Sequence, residues 1–244
     1  MIRTIIIVLF VVLFLILTIP VLLIEWIIGK FNPNIKSKSS LKIVQWAFRR
    51  ILGLAGTRLH VIGRENIPDD RPVLYVGNHR SYFDIVIGYT LIKGQCGFVA
   101  KKEMEKIPLL SIWMKYLHCQ FLDREDLKAG LKTILACIDK VKAGISIWIF
   151  PEGTRNPKGE GMLEFKEGSL KIAEKSKCLI IPVAMWNTGE IFEAHLPFVH
   201  SAKVTVKFGA PIDVSSLDRE QKKFLGAYTE TIIKDMLSEI QSLK

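Results

Sequence analysis

At 244 residues, the chain is long enough for one sizeable domain together with a membrane-associated segment. Its apolar fraction of 49% and its positive mean hydropathy argue against an ordinary, fully soluble protein. The 34 Lys and Arg exceed the 24 Asp and Glu to give a net charge of +10. This charge favours an anionic partner, such as a phospholipid surface, a phosphorylated substrate, a coenzyme or a nucleic acid.

The cysteines and histidines give no sign of a disulfide framework or a metal site. No two cysteines have the CxxC spacing and most have apolar neighbours, which is typical of buried thiols in a reducing compartment. The five histidines form no metal-ligand pair of the HExxH or Cys/His kind, so no metal is expected. The cysteines are Cys96, Cys119, Cys137 and Cys178.

An uncharged apolar run covers residues 4 to 24. As a helix at ~1.5 Å per residue it would be ~31 Å long, which is about one hydrocarbon thickness. The run is long for a signal-peptide core, and residues 25 to 30 contain no small-x-small cleavage site, so a retained membrane segment is favoured over a cleaved signal. Pro20 predicts a kink, and both a full span and a helix inserted in one leaflet are compatible with the pattern.

A second amphipathic helix is predicted at residues 39 to 55, with apolar residues on one face and polar residues on the other. An ordinary core-facing helix would explain this pattern. Trp46 and nearby cations favour a helix lying on an anionic membrane surface, and they predict a cytoplasmic main domain if the first segment spans the bilayer. The apolar face comprises Leu41, Val44, Phe48, Ile51, Leu52 and Ala55, and the cations are Lys36, Lys38, Lys42, Arg49 and Arg50.

From about residue 57, short apolar runs alternate with amphipathic helices. The clearest helix is predicted at residues 123 to 142, and a final charged helix at residues 219 to 243. Pro182 indicates an edge or irregular position for its strand. The alternation predicts an α/β domain with a central mixed sheet flanked by helices, from residue 57 to 244, preceded by membrane-embedded or interfacial helices in residues 1 to 56. The predicted strands are 72 to 76, 96 to 100, 118 to 122, 145 to 150, 179 to 185 and 202 to 208.

A histidine and a carboxylate lie five residues apart just after the first of these strands. His79 falls in the turn that follows the strand, and Ser81 with Asp84 forms a predicted capping box for a helix running to about Ile92. Asp84 in the first helical turn can stay ionised and accept a hydrogen bond from the imidazole. Such a bond would fix the tautomer and stabilise the imidazolium, so His79 is predicted to be a general base.

Two further strand ends carry cations. Residues 145 to 150 end in Pro151-Glu152-Gly153-Thr154-Arg155, where the arginine fork suits phosphate and the glycine admits backbone N–H groups at close range. A turn closed by a local ion pair between Glu152 and Arg155 is the alternative. Arg124 follows Phe121-Leu122-Asp123, where a helix begins, and could contribute to a phosphate site.

Taken together, these motifs resemble those of the glycerolipid acyltransferase superfamily. Residues 79 to 84 resemble its histidine-x4-aspartate motif, 121 to 124 its second block, 150 to 155 its third and 181 to 183 its fourth. All four occur in the family's order. The Glu-Gly-Thr-Arg sequence and the N-terminal membrane segment are most similar to the bacterial lysophosphatidate acyltransferase branch. One position departs from the pattern, because His118 stands where the second block usually has glycine.

The resemblance implies roles for the site residues. His79 would act as general base on the sn-2 hydroxyl of 1-acylglycerol 3-phosphate, with Asp84 orienting the imidazole. Acyl-CoA or acyl carrier protein would be the thioester donor, and phosphatidic acid the product. Neither a cofactor nor a nucleic acid partner is implied, and the enzyme would lie at the cell membrane with its catalytic domain on the cytoplasmic face. The glycerol 3-phosphate group would be held by Arg124, Glu152, Gly153, Thr154 and Arg155.

Other mechanisms and classes stay open at this point. Direct transfer is preferred because no G-x-S-x-G elbow is present, although Ser81 or Cys119 could form an acyl-enzyme. A thioesterase or lipid hydrolase would use the same His79–Asp84 pair to activate water. A basic membrane adaptor would explain the charge but not the histidine turn, and another acceptor, such as glycerol 3-phosphate or a different lysophospholipid, is the closest competitor.

Overall fold

A mixed β-sheet runs through the centre of the protein. The structure is a computed structural model that describes residues 1–156 and 161–242. Within these residues the sheet has seven strands, in the order β1-β7-β6-β2-β5-β3-β4, and the β6–β7 pair is the antiparallel one. The strands are β1 (Arg58–Ile62), β2 (Val73–Gly77), β3 (Cys96–Lys101), β4 (Gln120–Leu122), β5 (Ser146–Ile149), β6 (Leu179–Trp186) and β7 (Lys203–Phe208).

The predicted α/β fold with a central mixed sheet is confirmed, and each of the six predicted strands occurs within two residues of its predicted ends. β1 lies outside the six predicted strands. It is an edge strand in which Arg58 and His60 are exposed, so it lacks the continuous apolar run that marks the central strands.

Helices cover both faces of the sheet. In the described residues they are α1 (Ile2–Leu17), α2 (Ile19–Phe31), α3 (Pro33–Ala55), α4 (Phe83–Leu91), α5 (Leu110–Tyr116), α6 (Leu127–Lys142), α7 (Lys171–Ser176), α8 (Arg219–Lys223) and α9 (Leu225–Ser242). Helices α1 to α5 share a hydrophobic cluster with Tyr75 and Trp148, whereas α6, α7 and α9 share one with Leu74 and Ile147. Because successive strand residues face opposite sides, the sheet separates these two helix layers.

The apolar run at the amino terminus forms two helices, α1 and α2, which are bent by 48° relative to each other. Pro20 occupies the first turn of α2, where its missing N–H costs no intrahelical hydrogen bond, so the predicted kink is confirmed. Among the described residues no single helix is both long and apolar enough to cross a bilayer. The bent pair passes that test of length and composition when its two helices are taken together.

Helix α3 begins six residues before its predicted start, because Asn32 Oδ1 caps it by accepting a hydrogen bond from Ile35 N at 3.0 Å. Its apolar face packs against α1, α2 and α4, with Leu41 and Ile51 buried. The interpretation of this face as membrane-facing is therefore wrong, and the core-facing alternative is correct. Trp46 is exposed on the other side of the helix.

Helix α6 begins four residues later than predicted. Asp126 is the N-cap, since its side chain accepts hydrogen bonds from the backbone N–H groups of residues 128 and 129. Asp123 closes the preceding turn instead, accepting from Glu125 N at 3.0 Å. The apolar face of this helix is buried only in its second half, where Ile138 and Val141 lie, whereas Leu127 and Leu131 in its first half are 89% and 61% exposed.

The last predicted helix is divided in two. Asp218 and Gln221 form a capping box for α8, and the chain breaks at Phe224 before α9 runs to Ser242. Residue 243, the predicted end, lies outside the described residues.

Pro182 occupies an internal strand, so the prediction of an edge position is wrong, whereas the predicted irregularity is present. Pro182 O accepts a hydrogen bond from Gly209 N at 2.8 Å, just past the end of the β6–β7 register at Phe208. The N and O of one residue point to the same side of a strand, so the missing N–H faces this interruption. The ladder with β2 continues on the other side.

His118 adopts a backbone conformation that glycine would favour, with φ of +63°. This geometry explains why glycine is usual at this position of the second block. The ring is anchored through Nε2 to Ser37 Oγ at 2.8 Å, and the serine hydroxyl in turn donates to Pro33 O. Burial lowers the pKa of His118 to about 4, so the ring is neutral at pH 7.

This buried histidine predicts acid sensitivity. The unfolded chain binds a proton at His118 below its ordinary pKa of 6.5, whereas the folded protein does so only near pH 4, so stability falls as pH drops through that window. We expect the fall to cost about 2 kcal/mol between pH 7 and pH 4. Thermal unfolding in detergent from pH 4 to pH 7 should show a smaller drop for His118→Gly than for the wild type. Equal drops would contradict the assignment.

Candidate active site

The turn between β2 and α4 is tied to the sheet by Asn78. Its buried side chain accepts a hydrogen bond from Met185 N at 2.8 Å and donates one to Met185 O at 2.9 Å. These two bonds take the place of the backbone hydrogen bonds that a neighbouring strand would make at the end of β6. An added Cβ at the preceding Gly77 would lie 3.3 Å from Phe150, closer than most Cβ contacts, so glycine lets the Phe150 ring pack closely against the strand. The next residue, His79, is thereby held at the carboxyl edge of the sheet.

His79 and Asp84 form the predicted pair. His79 Nδ1 lies 2.8 Å from Asp84 Oδ2, and the same oxygen accepts hydrogen bonds from Arg80 N at 2.7 Å and Ser81 N at 2.8 Å. Asp84 is fully buried, and its carboxylate also lies at the positive end of α4. An imidazole whose Nδ1–H donates a hydrogen bond to this carboxylate has Nε2 free to act as a base.

The predicted capping box is only half correct. Asp84 does accept from Ser81 N, as the box requires. Ser81 Oγ, however, accepts from Phe83 N at 3.0 Å, two residues ahead, and Tyr82 is the N-cap of α4. The carboxylate is drawn back toward the turn because it also serves His79 and Arg80.

The imidazole plane is fixed by an aromatic contact that the sequence analysis did not identify. The rings of His79 and Phe150 stack with centroids 4.1 Å apart and planes 9° apart. Phe150 follows β5, which lies beside β2 in the sheet. Phe150 could be noticed in the sequence because it opens the third block. Its contact with His79, however, depends on β2 and β5 being neighbours in the sheet.

Glu152 supports the backbone of His79. Its Oε1 accepts from His79 N at 2.6 Å and its Oε2 from Leu163 N at 3.0 Å. Burial raises the pKa of the Glu152 carboxyl, and these two backbone N–H groups oppose the shift. The alternative of a local ion pair between Glu152 and Arg155 is therefore wrong, because both groups have other partners.

Arg155 is held by a residue outside every motif. Its Nη1 lies 3.0 Å from Oε1 of Glu193, and its guanidinium lies 3.5 Å from the centre of the Tyr82 ring. The same carboxylate oxygen accepts from Tyr82 N at 2.8 Å. Glu193 is 5% exposed, and its Oε2 has no hydrogen bond within the described residues. Sequence reasoning missed this residue because only folding brings it to the histidine turn.

The remaining predicted residues lie at the same edge of the sheet but differ in position. Gly153 has a φ of +74°, a left-handed conformation that favours glycine, and the space beside it is occupied by the flexible end of Lys166. Thr154 is exposed. Arg124 follows β4, three strands from β2, which at ~4.8 Å per strand is ~14 Å away. Arg124 is exposed and has no ion pair among the described residues.

The structure thus brings together His79, Asp84, Glu152 and Arg155, with Gly153 and Thr154 adjoining them. Arg124 shares their sheet edge at a greater distance. A base with a buried orienting carboxylate, beside a guanidinium, is suited to activating a hydroxyl or a water next to an anionic group.

Comparison with known proteins defines the class. Residues 58–186 match the Acyltransferase family, and the chain belongs to that family. It is 32% identical over 213 residues to the 1-acyl-sn-glycerol-3-phosphate acyltransferase of Borreliella burgdorferi, covering 86% of this chain and 80% of the relative. The protein of that name from Haemophilus influenzae is 30% identical over 210 residues, covering 84% of this chain and 85% of the relative.

A solved structure extends this likeness to the whole fold. The crystal structure of the 1-acyl-sn-glycerophosphate (LPA) acyltransferase, PlsC, from Thermotoga maritima superposes with a TM-score of 0.84 at 28% identity. The match covers 98% of this chain and 95% of the other. The enzyme class, an acyltransferase, therefore agrees with both the sequence motifs and the site.

Glu193 offers a test of the site's construction. We expect Glu193→Gln to lower the free energy of unfolding by about 1 kcal/mol, because the partly exposed Arg155 loses its anion. Glu193→Ala should cost about 2 kcal/mol, since Tyr82 N–H also loses its acceptor. Urea unfolding in detergent measures both. Glu190→Gln, at an exposed carboxylate that pairs with His195, is the control, and equal effects of the two Gln variants would contradict the assignment.

Proposed function

We propose that the protein transfers an acyl group from a thioester donor to the sn-2 hydroxyl of 1-acylglycerol 3-phosphate, giving phosphatidic acid. The observation that carries this proposal is the 2.8 Å contact between His79 Nδ1 and the buried Asp84 carboxylate, in a chain of the Acyltransferase family. The names of the relatives supply the acceptor. Acyl-CoA and acyl carrier protein are the two donors that fit this chemistry.

In the proposed reaction, His79 Nε2 takes the proton of the sn-2 hydroxyl as the hydroxyl oxygen attacks the thioester carbonyl carbon. The tetrahedral intermediate collapses by breaking the C–S bond, and the departing thiolate takes the proton from the imidazolium. Asp84 stabilises the imidazolium without taking its proton. Phe150 and Glu152 keep the ring and its backbone in place.

Direct transfer is supported by the state of the two alternative nucleophiles. Ser81 is fully buried, and its hydroxyl oxygen accepts a hydrogen bond from Phe83 N. Cys119 is buried, and burial raises the pKa of its thiol, which disfavours the thiolate. An attack by the acceptor's own hydroxyl requires neither residue.

The acceptor's phosphate is assigned to the cations and backbone groups at the sheet edge. Arg155 adjoins His79 and can hold the headgroup while the hydroxyl meets the base, whereas Arg124, ~14 Å away at the end of β4, adds a second cation that attracts the phosphate to this edge of the sheet. Gly153 and Thr154 contribute close backbone approach in the same loop. Glu152 belongs to this loop as well, but both its oxygens accept from backbone N–H groups, so its contribution is to position His79.

The amino-terminal helices are proposed to seat the enzyme on the cytoplasmic face of the cell membrane. Helices α1 and α2 expose an extensive apolar surface, which includes Leu9, Ile16, Leu23, Ile24 and Trp26. They lie on the face of the sheet onto which His79 opens, because Phe150, its stacking partner, belongs to their hydrophobic cluster. A lysophosphatidate could then reach the base while its acyl tail stays in the bilayer.

The reaction is tested with labelled acyl-CoA or acyl carrier protein and a panel of lysophospholipids in vesicles. We expect His79→Ala to reduce kcat by roughly 10²- to 10⁴-fold, and Asp84→Asn by roughly 10²-fold or more, because the base is lost or misoriented. The matched control is His60→Ala, which makes the same change at an exposed histidine of β1. Thiol release independent of any lysophospholipid would identify a hydrolase, and unchanged transfer in His79→Ala would refute the proposal.

Membrane seating is tested separately from chemistry. We expect Leu9→Glu/Ile16→Glu to reduce activity on vesicles about tenfold or more, while activity on a water-soluble short-chain lysophosphatidate is retained. Leu127→Glu/Leu131→Glu makes the same change on α6, across the sheet, and should leave both activities within twofold. Equal losses in the two double variants would contradict the assignment of α1 and α2 to the membrane.

A further inference from the structure

A cavity of about 540 Å³ lies at the far end of the site's sheet edge, and no motif includes it. It is enclosed by the start of α1, the turn between α3 and β1, and the start of β7, with Arg3, Arg58 and Lys203 among its lining residues. The amino ends of β1 and β7 pair directly, and β7 is antiparallel to β6, so this cavity shares an edge with His79. We call these lining residues the basic cavity.

In the part of the chain that the structure describes, the three cations of the basic cavity have no carboxylate partner. Within residues 1–156 and 161–242, none of Arg3, Arg58 and Lys203 takes part in an ion pair or a side-chain hydrogen bond. By contrast, Arg155, Lys102 and Lys207 each have an acidic partner. Three cations gathered around one cavity repel one another, so the arrangement favours a bound anion.

Thr57 also lines this cavity, and its side-chain oxygen is turned away from the space. Thr57 Oγ1 is inaccessible to solvent and has no hydrogen-bond partner among the described residues. A rotation about χ1 would bring the hydroxyl into the cavity, where a ligand could relieve the cost of leaving it without a partner. The neighbouring Gly56 has a φ of +71°, and an added Cβ there would lie 3.5 Å from the Arg3 guanidinium. The lack of a side chain at residue 56 thus keeps the cavity open beside the guanidinium.

The carboxyl end of α3 compensates only part of the positive charge of the basic cavity. Gly56 is the C-cap of α3, so the helix dipole places roughly half a negative charge beside the cavity. That partial charge offsets less than one of the three cations. The remaining charge of about +2.5 favours a phosphate group, to which the rotated Thr57 hydroxyl could donate.

We propose that the basic cavity binds the phosphate of an anionic membrane phospholipid that is not the acceptor being acylated. Arg3 belongs to α1, and the adjoining Ile2, Ile5 and Ile6 are exposed. A cation beside an exposed apolar helix surface lies at headgroup depth when that surface enters the acyl region. The basic cavity therefore takes a headgroup whose acyl chains lie along α1.

This lipid is distinct from the acceptor because of its distance from the base. β1 lies three strands from β2, which is ~14 Å at ~4.8 Å per strand, and Arg124 lies at a similar distance on the opposite side. One glycerol backbone does not bridge that distance while its sn-2 hydroxyl contacts His79. The proposal rests on the membrane seating described above, but the binding it describes is measurable without membrane or turnover.

The test uses the full chain in detergent, titrated with dihexanoyl phosphatidylglycerol and observed by native mass spectrometry. We expect Arg58→Gln/Lys203→Gln to weaken lipid retention about tenfold or more, because two cations are lost. Thr57→Val, which keeps the shape of the side chain, should weaken it about threefold without lowering the melting temperature. Lys128→Gln/Lys132→Gln removes two exposed charges from α6 and should change retention less than twofold.

Three results would overturn the proposal. Equal losses in the two Gln double variants would mean that overall charge alone governs retention. Saturable binding of inorganic phosphate at the cavity, with lipid retention unchanged in Arg58→Gln/Lys203→Gln, would identify a soluble phosphate as the ligand. A loss of affinity for acyl carrier protein in that variant, with lipid retention intact, would identify a docking site for an acidic protein. Failure of acyl transfer on vesicles would affect none of these readouts.

Discussion

Four consecutive backbone N–H groups in the histidine turn each donate to a carboxylate. Glu152 accepts from residue 79, Asp84 from residues 80 and 81, and Glu193 from residue 82. These N–H groups lie where α4 begins, so no intrahelical acceptor is available to them. The start of the helix, the path of the turn and the orientation of the imidazole all depend on this one set of hydrogen bonds.

Three buried carboxylates at one turn are stable only because their charge is matched. Two of them also engage cationic or ionisable side chains, with Asp84 on the His79 ring and Glu193 on the Arg155 guanidinium. Backbone donors and the amino end of α4 provide the rest of the compensation. The arrangement also makes the imidazole rigid, because its ring, its backbone N and the opposite wall at Phe150 are each fixed by a different element. A rigid base reduces the reorganisation needed when the hydroxyl proton moves.

The parts of this site that sequence predicts are the local ones. His79 and Asp84 are five residues apart, so the strand-to-helix pattern alone brings them together. The central strands could also be predicted, because strands that are buried on both faces appear in the sequence as continuous apolar runs. Glu193 was not predictable, because its partners lie 111 and 38 residues away and only the fold joins them.

The predicted start of α6 was wrong because two residues near it could act as the N-cap. Asp123 and Asp126 are both acceptable N-caps by type, and the difference is decided by which backbone N–H groups each carboxylate reaches. The face of α3 was misjudged for a related reason, because an apolar stripe is the same whether it meets lipid or the neighbouring helices. The structure decides both questions through contacts that lie far away in sequence.

The carboxylates around His79 also determine where attraction for anionic lipid must come from. Arg155 is already balanced by Glu193, so the centre of the site carries little uncompensated positive charge. Cations without an acidic partner, within the described ranges, lie on both sides of it: Arg124 beyond β3, and the basic cavity at β1 and β7. Placed there, they can attract a negatively charged membrane surface without disturbing the acid–base pair, since each is about a Debye length or more from the imidazole. The separation of the proton-transfer centre from the lipid-attracting charges follows from the strand order, because β2 lies in the middle of the sheet and the two cationic ends lie at its edges.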